Sequence, residues 1–331
     1  MSDRLGQLHN WLQNDLKFGD YTLVPASEDA SFRRYFRLQY NGQSRIVMDA
    51  PPEQEDCLAF VDIASRLKSA GVNVPEVLRK DIDQGFILLT DLGPALYLHI
   101  LEKNNAEQLY DDAINALIKI QKNANISGLP LYDETLLRKE MQLFPDWLLH
   151  KHLGLKLTNT WKKELGRIFD ILIASALSQP QVFVHRDYHS RNLMYCPADN
   201  PGIVDFQDAV NGPVTYDLVS LLKDAYIKWP DEFVEKQARR FFDKAQINNI
   251  NNEQFQKWFD FMGVQRHLKV GGIFARLYHR DNKAGYLKDI PMTMSYITDL
   301  DGRYPELEFL IELINTEILS TLDEANRLCE Q

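Results

Sequence analysis

Cysteine is scarce in this chain. The three in 331 residues, Cys57, Cys196 and Cys329, stand far apart and without metal-ligand spacing. That excludes a disulfide framework and fits a reducing, cytoplasmic setting. Basic residues are in deficit as well: 37 Lys and Arg face 47 Asp and Glu, a formal net charge of −10. The chain therefore lacks the electrostatic footprint of a protein that binds nucleic acid or an anionic membrane, and any anion must be held by a local basic cluster. No apolar run approaches the ~18 residues of a membrane span, and the opening residues contain no apolar signal core. Internal repeats and low-complexity tracts are lacking too. What remains is the expectation of a soluble cytoplasmic protein with no obligate protein partner evident. Its 45% hydrophobic and 25% charged content are those of an ordinary globular chain, and its length suggests about two domains.

Against these absences stands one dense stretch, residues 182–208. His185-Arg186-Asp187 is followed after four residues by Asn192, and a short apolar run then leads into Asp205-Phe206. Each half lies beside a strand-like run, Gln181 to Val184 and Gly202 to Val204. Turn chemistry alone accounts for Asp and Asn between strands, but it does not require His, Asp, Asn and a second Asp in this order. The pattern is the H-R-D-x-x-x-x-N and D-F pair of phosphoryl transfer, a reaction that needs little beyond positioning and charge neutralisation. Asp187 is the candidate to orient an attacking hydroxyl and take its proton. Asn192 and Asp205 offer the hard oxygen donors that suit Mg²⁺ against a nucleotide triphosphate, and His185 reads as a brace for the loop.

Along the chain, residues 3–16 space Leu5, Leu8, Leu12 and Leu16 as an amphipathic helix. Tyr21 to Val24, Arg34 to Tyr40 and Arg45 to Met48 read as an antiparallel meander, with Asn41-Gly42 as a turn signal. The loop Pro25 to Phe32, where a phosphate-covering segment would fall, contains no glycine. Ser31, Arg33 and Arg34 are its candidate phosphate donors, and strand alternation sends one of the two arginines toward the cleft and the other away. A helix is expected over 53–70, strands at Glu76 to Leu78 and Phe86 to Leu89, and then a connection, Thr90-Asp91-Leu92-Gly93, whose backbone can meet an adenine edge. Thr90 and Leu92 are the nucleotide-binding candidates there. Beyond residue 95 the pattern is helical: 105–124, 160–177, 217–226, 231–245, 253–280 and 306–327, with 129–155 showing no clear period.

These residues together resemble the aminoglycoside phosphotransferase and choline kinase superfamily. The likeness rests on Val184 to Leu193, on Gly202 to Asp208, and on Gly212-Pro213-Val214-Thr215-Tyr216-Asp217-Leu218, similar to the family's G-x-P-x-x-D-L segment. It implies an α+β, two-lobed protein-kinase-like fold, with a small antiparallel β-sheet N-lobe over 1–92 and a large, mainly helical C-lobe over 93–331. It further implies ATP and Mg²⁺ as cofactors and a support role for Asp217. More narrowly, Ser31 to Arg37, Met48 to Pro52 and Gln265 to Leu277 resemble the bacterial cell-wall recycling branch, which phosphorylates the anomeric hydroxyl of amino sugars. One departure stands out: the third strand, Ile46-Val47-Met48-Asp49, carries no lysine for the phosphates, and Phe60 falls near the family's partner glutamate. Replacing both charges by apolar groups avoids stranding either one.

For the acceptor, Arg266, Lys269 and Arg276 are spaced to lie near one helix face, which suits either an anionic sugar or a solvated, salt-bridged surface. Arg191 and His189, in the catalytic loop, are the nearer candidates, and Asp208 is a candidate for sugar hydroxyls. Other small alcohols, among them choline, homoserine, a thiosugar or an aminoglycoside, stay open as acceptors. So does a nucleotide-binding module without turnover.

Overall fold

Short extended runs alternate with turn residues over 22–90. In the computed structural model, which describes residues 2–27 and 32–329, they form one antiparallel sheet. Its strands, β1 (Thr22–Ser27), β2 (Arg34–Tyr40), β3 (Gln43–Asp49), β4 (Val77–Asp81) and β5 (Phe86–Thr90), lie in the order β1-β2-β3-β5-β4. Asn41 and Gly42 both take positive φ, 49° and 75°, and close the turn that pairs Tyr40 with Gln43. Strand alternation divides the sheet's apolar residues between two faces. Val47, Phe86 and Leu88 pack with Leu8, Trp11 and Leu12 of the N-terminal helix α1 (Ser2–Asn10) and its continuation to Asp15. Met48, Ile87 and Leu89 join α2 (Cys57–Ser69) and the main core. The second helix starts at Cys57, later than its periodicity suggests, because the Asp56 carboxylate caps it, accepting from the Leu58 and Ala59 amides at 2.8 and 3.2 Å. Gly85 has no substitute: its φ is +73°, and a Cβ would sit 1.9 Å from the Ala50 carbonyl oxygen.

The rest of the chain is mainly helical: α3 (Tyr97–Ile100), α4 (Ala106–Asn123), α5 (Glu134–Met141), α6 (Asn159–Leu177), α7 (Tyr216–Leu222), α8 (Asp231–Ala245), α9 (Asn252–Asp281) and α10 (Ile290–Thr298), with further helical turns over 308–329. The stretch without a period, 129–155, holds α5, capped by Asp133, and the wide-turned helical segment Phe144–His152. α7 stops short of the expected 226 because the Asp224 carboxylate takes the amides of Ser190 and Tyr226, each at 2.9 Å.

At the centre stands α9. Every residue from Trp258 to Gly272 is buried, so this helix has core on all sides. Gly272 permits the closest approach, since a Cβ there would lie 2.4 Å from the Leu143 carbonyl carbon. A helix so enclosed must find internal partners for its polar residues. His267 finds a ring: its imidazole stacks on Tyr296 with centroids 4.6 Å apart and planes at 8°, while neither ring nitrogen has a hydrogen-bond partner. Burial, together with the charges of Arg266, Lys223 and Lys228, holds it neutral, well below the usual imidazole range. The unfolded chain takes up this proton near pH 6.5 and the folded chain does not, so stability falls as pH drops through that value. In urea unfolding, the native protein is expected to lose roughly 1–2 kcal/mol more than His267→Phe between pH 6.5 and 5. Equal losses in both proteins would refute the assignment.

Candidate active site

Two short hairpin pairings frame the motif. β6 (Gln181–Val184) pairs antiparallel with β9 (Val210–Pro213), and β7 (Leu193–Met194) with β8 (Gly202–Ile203), so residues 185–192 form a loop between β6 and β7. The loop is tied down from below. Asp217, at the start of α7, accepts the amides of His185 and Arg186 at 2.7 and 3.0 Å. Burial outweighs the influence of His185 and these two amides and lifts its carboxyl to about 6. His185 is wholly buried and bonds through Nε2 to the Val204 carbonyl at 3.1 Å; only the Nε2–H tautomer donates to a carbonyl. Arg186 and Asp205 take the left-handed conformation, φ 77° and 62°, which is uncommon outside glycine. On the cleft side, the Asn192 side-chain amide donates to the Asp187 carbonyl at 3.0 Å and to the Asp205 carboxylate at 3.3 Å. Gln207 donates to the other Asp205 oxygen at 2.9 Å.

A cleft of about 490 Å³ runs from β5 and the connection after it to this loop. Tyr35, Ile46, Leu89, Met194 and Val204 give it apolar walls, and Thr90 and Leu92 are among its lining residues. The connection is clamped to the sheet: Arg37 Nε donates to Asp91 at 2.7 Å, the Ser44 hydroxyl donates to the same carboxylate, and Asp91 accepts the Gly93 amide at 2.9 Å. No charge is stranded at the lysine-less third strand. Met48 and Phe60 are both buried in the main core, and the Phe60 ring lies 4.9 Å from that of Phe206, next in sequence to Asp205.

The remaining candidates separate by place. Asp187, His189, Arg191, Asn192 and Asp205 line the cleft together. Arg34 turns away, bound to Asp49, as is Arg4 on the same carboxylate. Arg33 is buried beside Glu55 at 3.5 Å. Alternation along β2 turns Arg34 away, since Tyr35 and Arg37 occupy the cleft face; Arg33 precedes the strand and does not line the cleft, so neither arginine reaches it, where one was expected to. Ser31 lies outside the described residues. Asp208 is exposed and off the cleft lining, with its backbone oxygen near Arg186 at 3.4 Å. Arg276 also lies off the lining and sits among Arg280 and Asp281 near the end of α9. Arg266 and Lys269 do share a helix face, but that face is buried beneath the catalytic loop. Lys269 pairs with Glu140 at 3.1 Å and donates to the Tyr216 hydroxyl at 2.9 Å. Arg266 lies 2% exposed, with its guanidinium carbon 5.9 Å from the Tyr216 ring centre.

That placement gives the two cations an electrostatic role. Burial by itself would raise the Asp187 carboxyl; the charges of Lys269, His189, Arg266 and Arg186 outweigh it and bring it down to about 2. His189 adds little near neutrality, because burial holds its imidazole down at about 4. The loop's own arginine, Arg186, shares Glu140 with Lys269, and Tyr132 donates to the same carboxylate. Burial opposes the ionisation of Glu140, and Lys269 and Arg186 more than restore it. Glu140 and Asp224 have no sequence motif to mark them. The one available signal was the cationic excess on the middle of α9, which demands a buried carboxylate from some other element.

Residues 22–249 match the sequence profile of the phosphotransferase enzyme family. Over 330 residues the chain is 49% identical to the N-acetylmuramate/N-acetylglucosamine kinase of Pseudomonas aeruginosa, covering 95% of this chain and 97% of that one. The protein of the same name from Neisseria meningitidis is 41% identical over 328 residues, 95% of this chain and 97% of its own. Among solved structures, the choline kinase LicA from Streptococcus pneumoniae superposes with a TM-score of 0.62 at 12% identity, over 88% of this chain and 98% of that one. Aminoglycoside phosphotransferase APH(4)-Ia superposes at 0.59 and 14% identity, over 89% and 98%. The expected two-lobed kinase-like architecture is thereby borne out, and the chain belongs to the phosphotransferase enzyme family.

Proposed function

We propose that this protein is an ATP- and Mg²⁺-dependent kinase that moves the γ-phosphoryl group to the anomeric C1 hydroxyl of N-acetylmuramate or N-acetylglucosamine. The product is the sugar α-1-phosphate, formed in the cytoplasm for cell-wall recycling. The observation that carries the chemistry is the convergence of Asp187, Asn192 and Asp205 on one wall of a cleft whose other end is the clamped connection after β5. The choice of sugar is supported by likeness, along 95% of the chain, to relatives that bear those substrates in their names. Residues 1–92 serve as the nucleotide lobe and 93–331 as the catalytic and acceptor lobe.

The residues fit these roles. Apolar walls from Tyr35, Ile46 and Leu89 suit a flat base, and the backbone at Thr90 and Leu92 offers its edge hydrogen bonds. Asn192 and Asp205 supply one amide and one carboxylate donor. These two would hold a hard cation such as Mg²⁺, for which oxygen donors are the suitable ligands. When bound, the metal neutralises the triphosphate and orients it for in-line transfer. With Arg34 held by Asp49 and Arg33 beside Glu55, that neutralisation falls mainly to the metal. Asp187 accepts a hydrogen bond from the sugar hydroxyl and fixes its direction of attack. With its carboxyl at about 2, it takes the proton only as the new O–P bond forms and the hydroxyl becomes strongly acidic.

The test is a ³¹P NMR assay with ATP and Mg²⁺ over both amino sugars, choline, homoserine and an aminoglycoside. The expected product is an anomeric sugar phosphate. Asp187→Asn should lower kcat by about 10²–10⁴-fold, and Asp205→Ala should be at least as damaging. Turnover of choline alone, or near-normal turnover by Asp205→Ala, would overturn the reading.

A further inference from the structure

The cations in and around the cleft are nearly all neutralised. Arg37 pairs with Asp91 at 2.7 Å, Arg33 with Glu55 at 3.5 Å and Lys269 with Glu140 at 3.1 Å. Arg186 shares Glu140, and Arg34 is held by Asp49. Arg191 differs. It lines the cleft on the same wall as Asp187, yet among the described residues no carboxylate forms an ion pair with it. Its guanidinium carbon lies 4.7 Å from the Tyr226 ring centre and 5.8 Å from that of Tyr286. Phe274 and His189 extend this aromatic cup: Phe274 packs 5.4 Å from Tyr286, and His189 lies 5.4 Å from Tyr226. Asp289 is near enough for its carboxyl to feel the charge, but burial dominates and raises it.

The two tyrosines hold the guanidinium in place by their rings and by side-chain hydrogen bonds that take part of its fork, and the remaining N–H donors of the five stay available. A half-buried cation so arranged is completed by a planar anion that binds both arms, for which a carboxylate is the best geometric match. The helix face that the sequence suggested for this task is occupied beneath the loop, so the cleft offers Arg191 instead. Resting on the amino-sugar kinase reading above, we propose that Arg191 is the specificity-determining residue of the acceptor site and receives the lactyl carboxylate of N-acetylmuramate. N-acetylglucosamine has no such group. Tyr226 and Tyr286 set the angle of the fork, and Phe274 closes the cup beside them.

The competing source of an anion in this cleft is the phosphate of the nucleotide, and steady-state kinetics separate the two. kcat and KM are measured for N-acetylmuramate, N-acetylglucosamine and ATP in the native protein, in Arg191→Met, which keeps an apolar stem against the rings, and in Arg191→Lys. Thermal melting of each variant confirms that it folds. The expected result is a fall of about 10–100-fold in kcat/KM for N-acetylmuramate in Arg191→Met, at least tenfold larger than the fall for N-acetylglucosamine. KM for ATP should change less than threefold, and Arg191→Lys should recover part of the loss. Equal losses on both sugars would overturn the proposal, and a raised KM for ATP alongside them would assign Arg191 to the nucleotide phosphates instead. Unchanged selectivity in both variants would overturn it as well. Failure of the native protein to phosphorylate either sugar would instead overturn the kinase assignment, and this inference with it.

Discussion

Three buried or half-buried cations, Arg186 in the loop and Arg266 and Lys269 beneath it, crowd together, and their mutual repulsion has to be answered by carboxylates. Glu140 answers two of them, and Asp187 and Asp224 face the third, Arg266. A buried charge without a counter-charge costs several kcal/mol, whereas a compensated cluster is tolerated. The position and ionisation of Asp187 therefore depend on residues that never reach the cleft. Asp217 adds a mechanical hold on the same loop through two backbone amides. The loop that carries Asp187 is fixed by charge from α9 and α5 and by hydrogen bonds from α7.

The nucleotide end follows the same electrostatic rule in the opposite sense. Where the superfamily places a lysine and a glutamate, Met48 and Phe60 remove both charges together, and Phe60 continues the core as far as Phe206. On the proposed reading, phosphate neutralisation then rests on a metal that Asn192 and Asp205 would hold. The sheet contributes position more than charge: Arg37, Asp91 and Ser44 lock the connecting segment and spend their polarity on one another.

The catalytic loop was legible because its chemistry fixes residue types at fixed spacing, and the strands beside it because alternation and turn residues repeat over short range. Most helices were legible for the same reason. Where several elements meet, legibility fails. Periodicity placed Arg266 and Lys269 on one face of α9 but gave no sign of what that face meets, and it meets the underside of the loop. Glu140 lies in 129–155, where short helical segments buried on several sides produce no period. Arg191 was visible as a residue; its lack of an ion-paired carboxylate among the described residues and its seat over Tyr226 and Tyr286, far away in sequence, exist only in the fold.

The dependence of the loop on buried charge balance is tested most directly by a double-mutant cycle of Glu140→Gln and Lys269→Met, read in both unfolding free energy and kcat. Each single change leaves the cluster unbalanced. The double variant removes one charge of each sign and should be more stable and more active than Glu140→Gln alone, with a coupling of about 1–3 kcal/mol in stability. Additive losses, with the double variant worse than either single one in both measurements, would contradict the account.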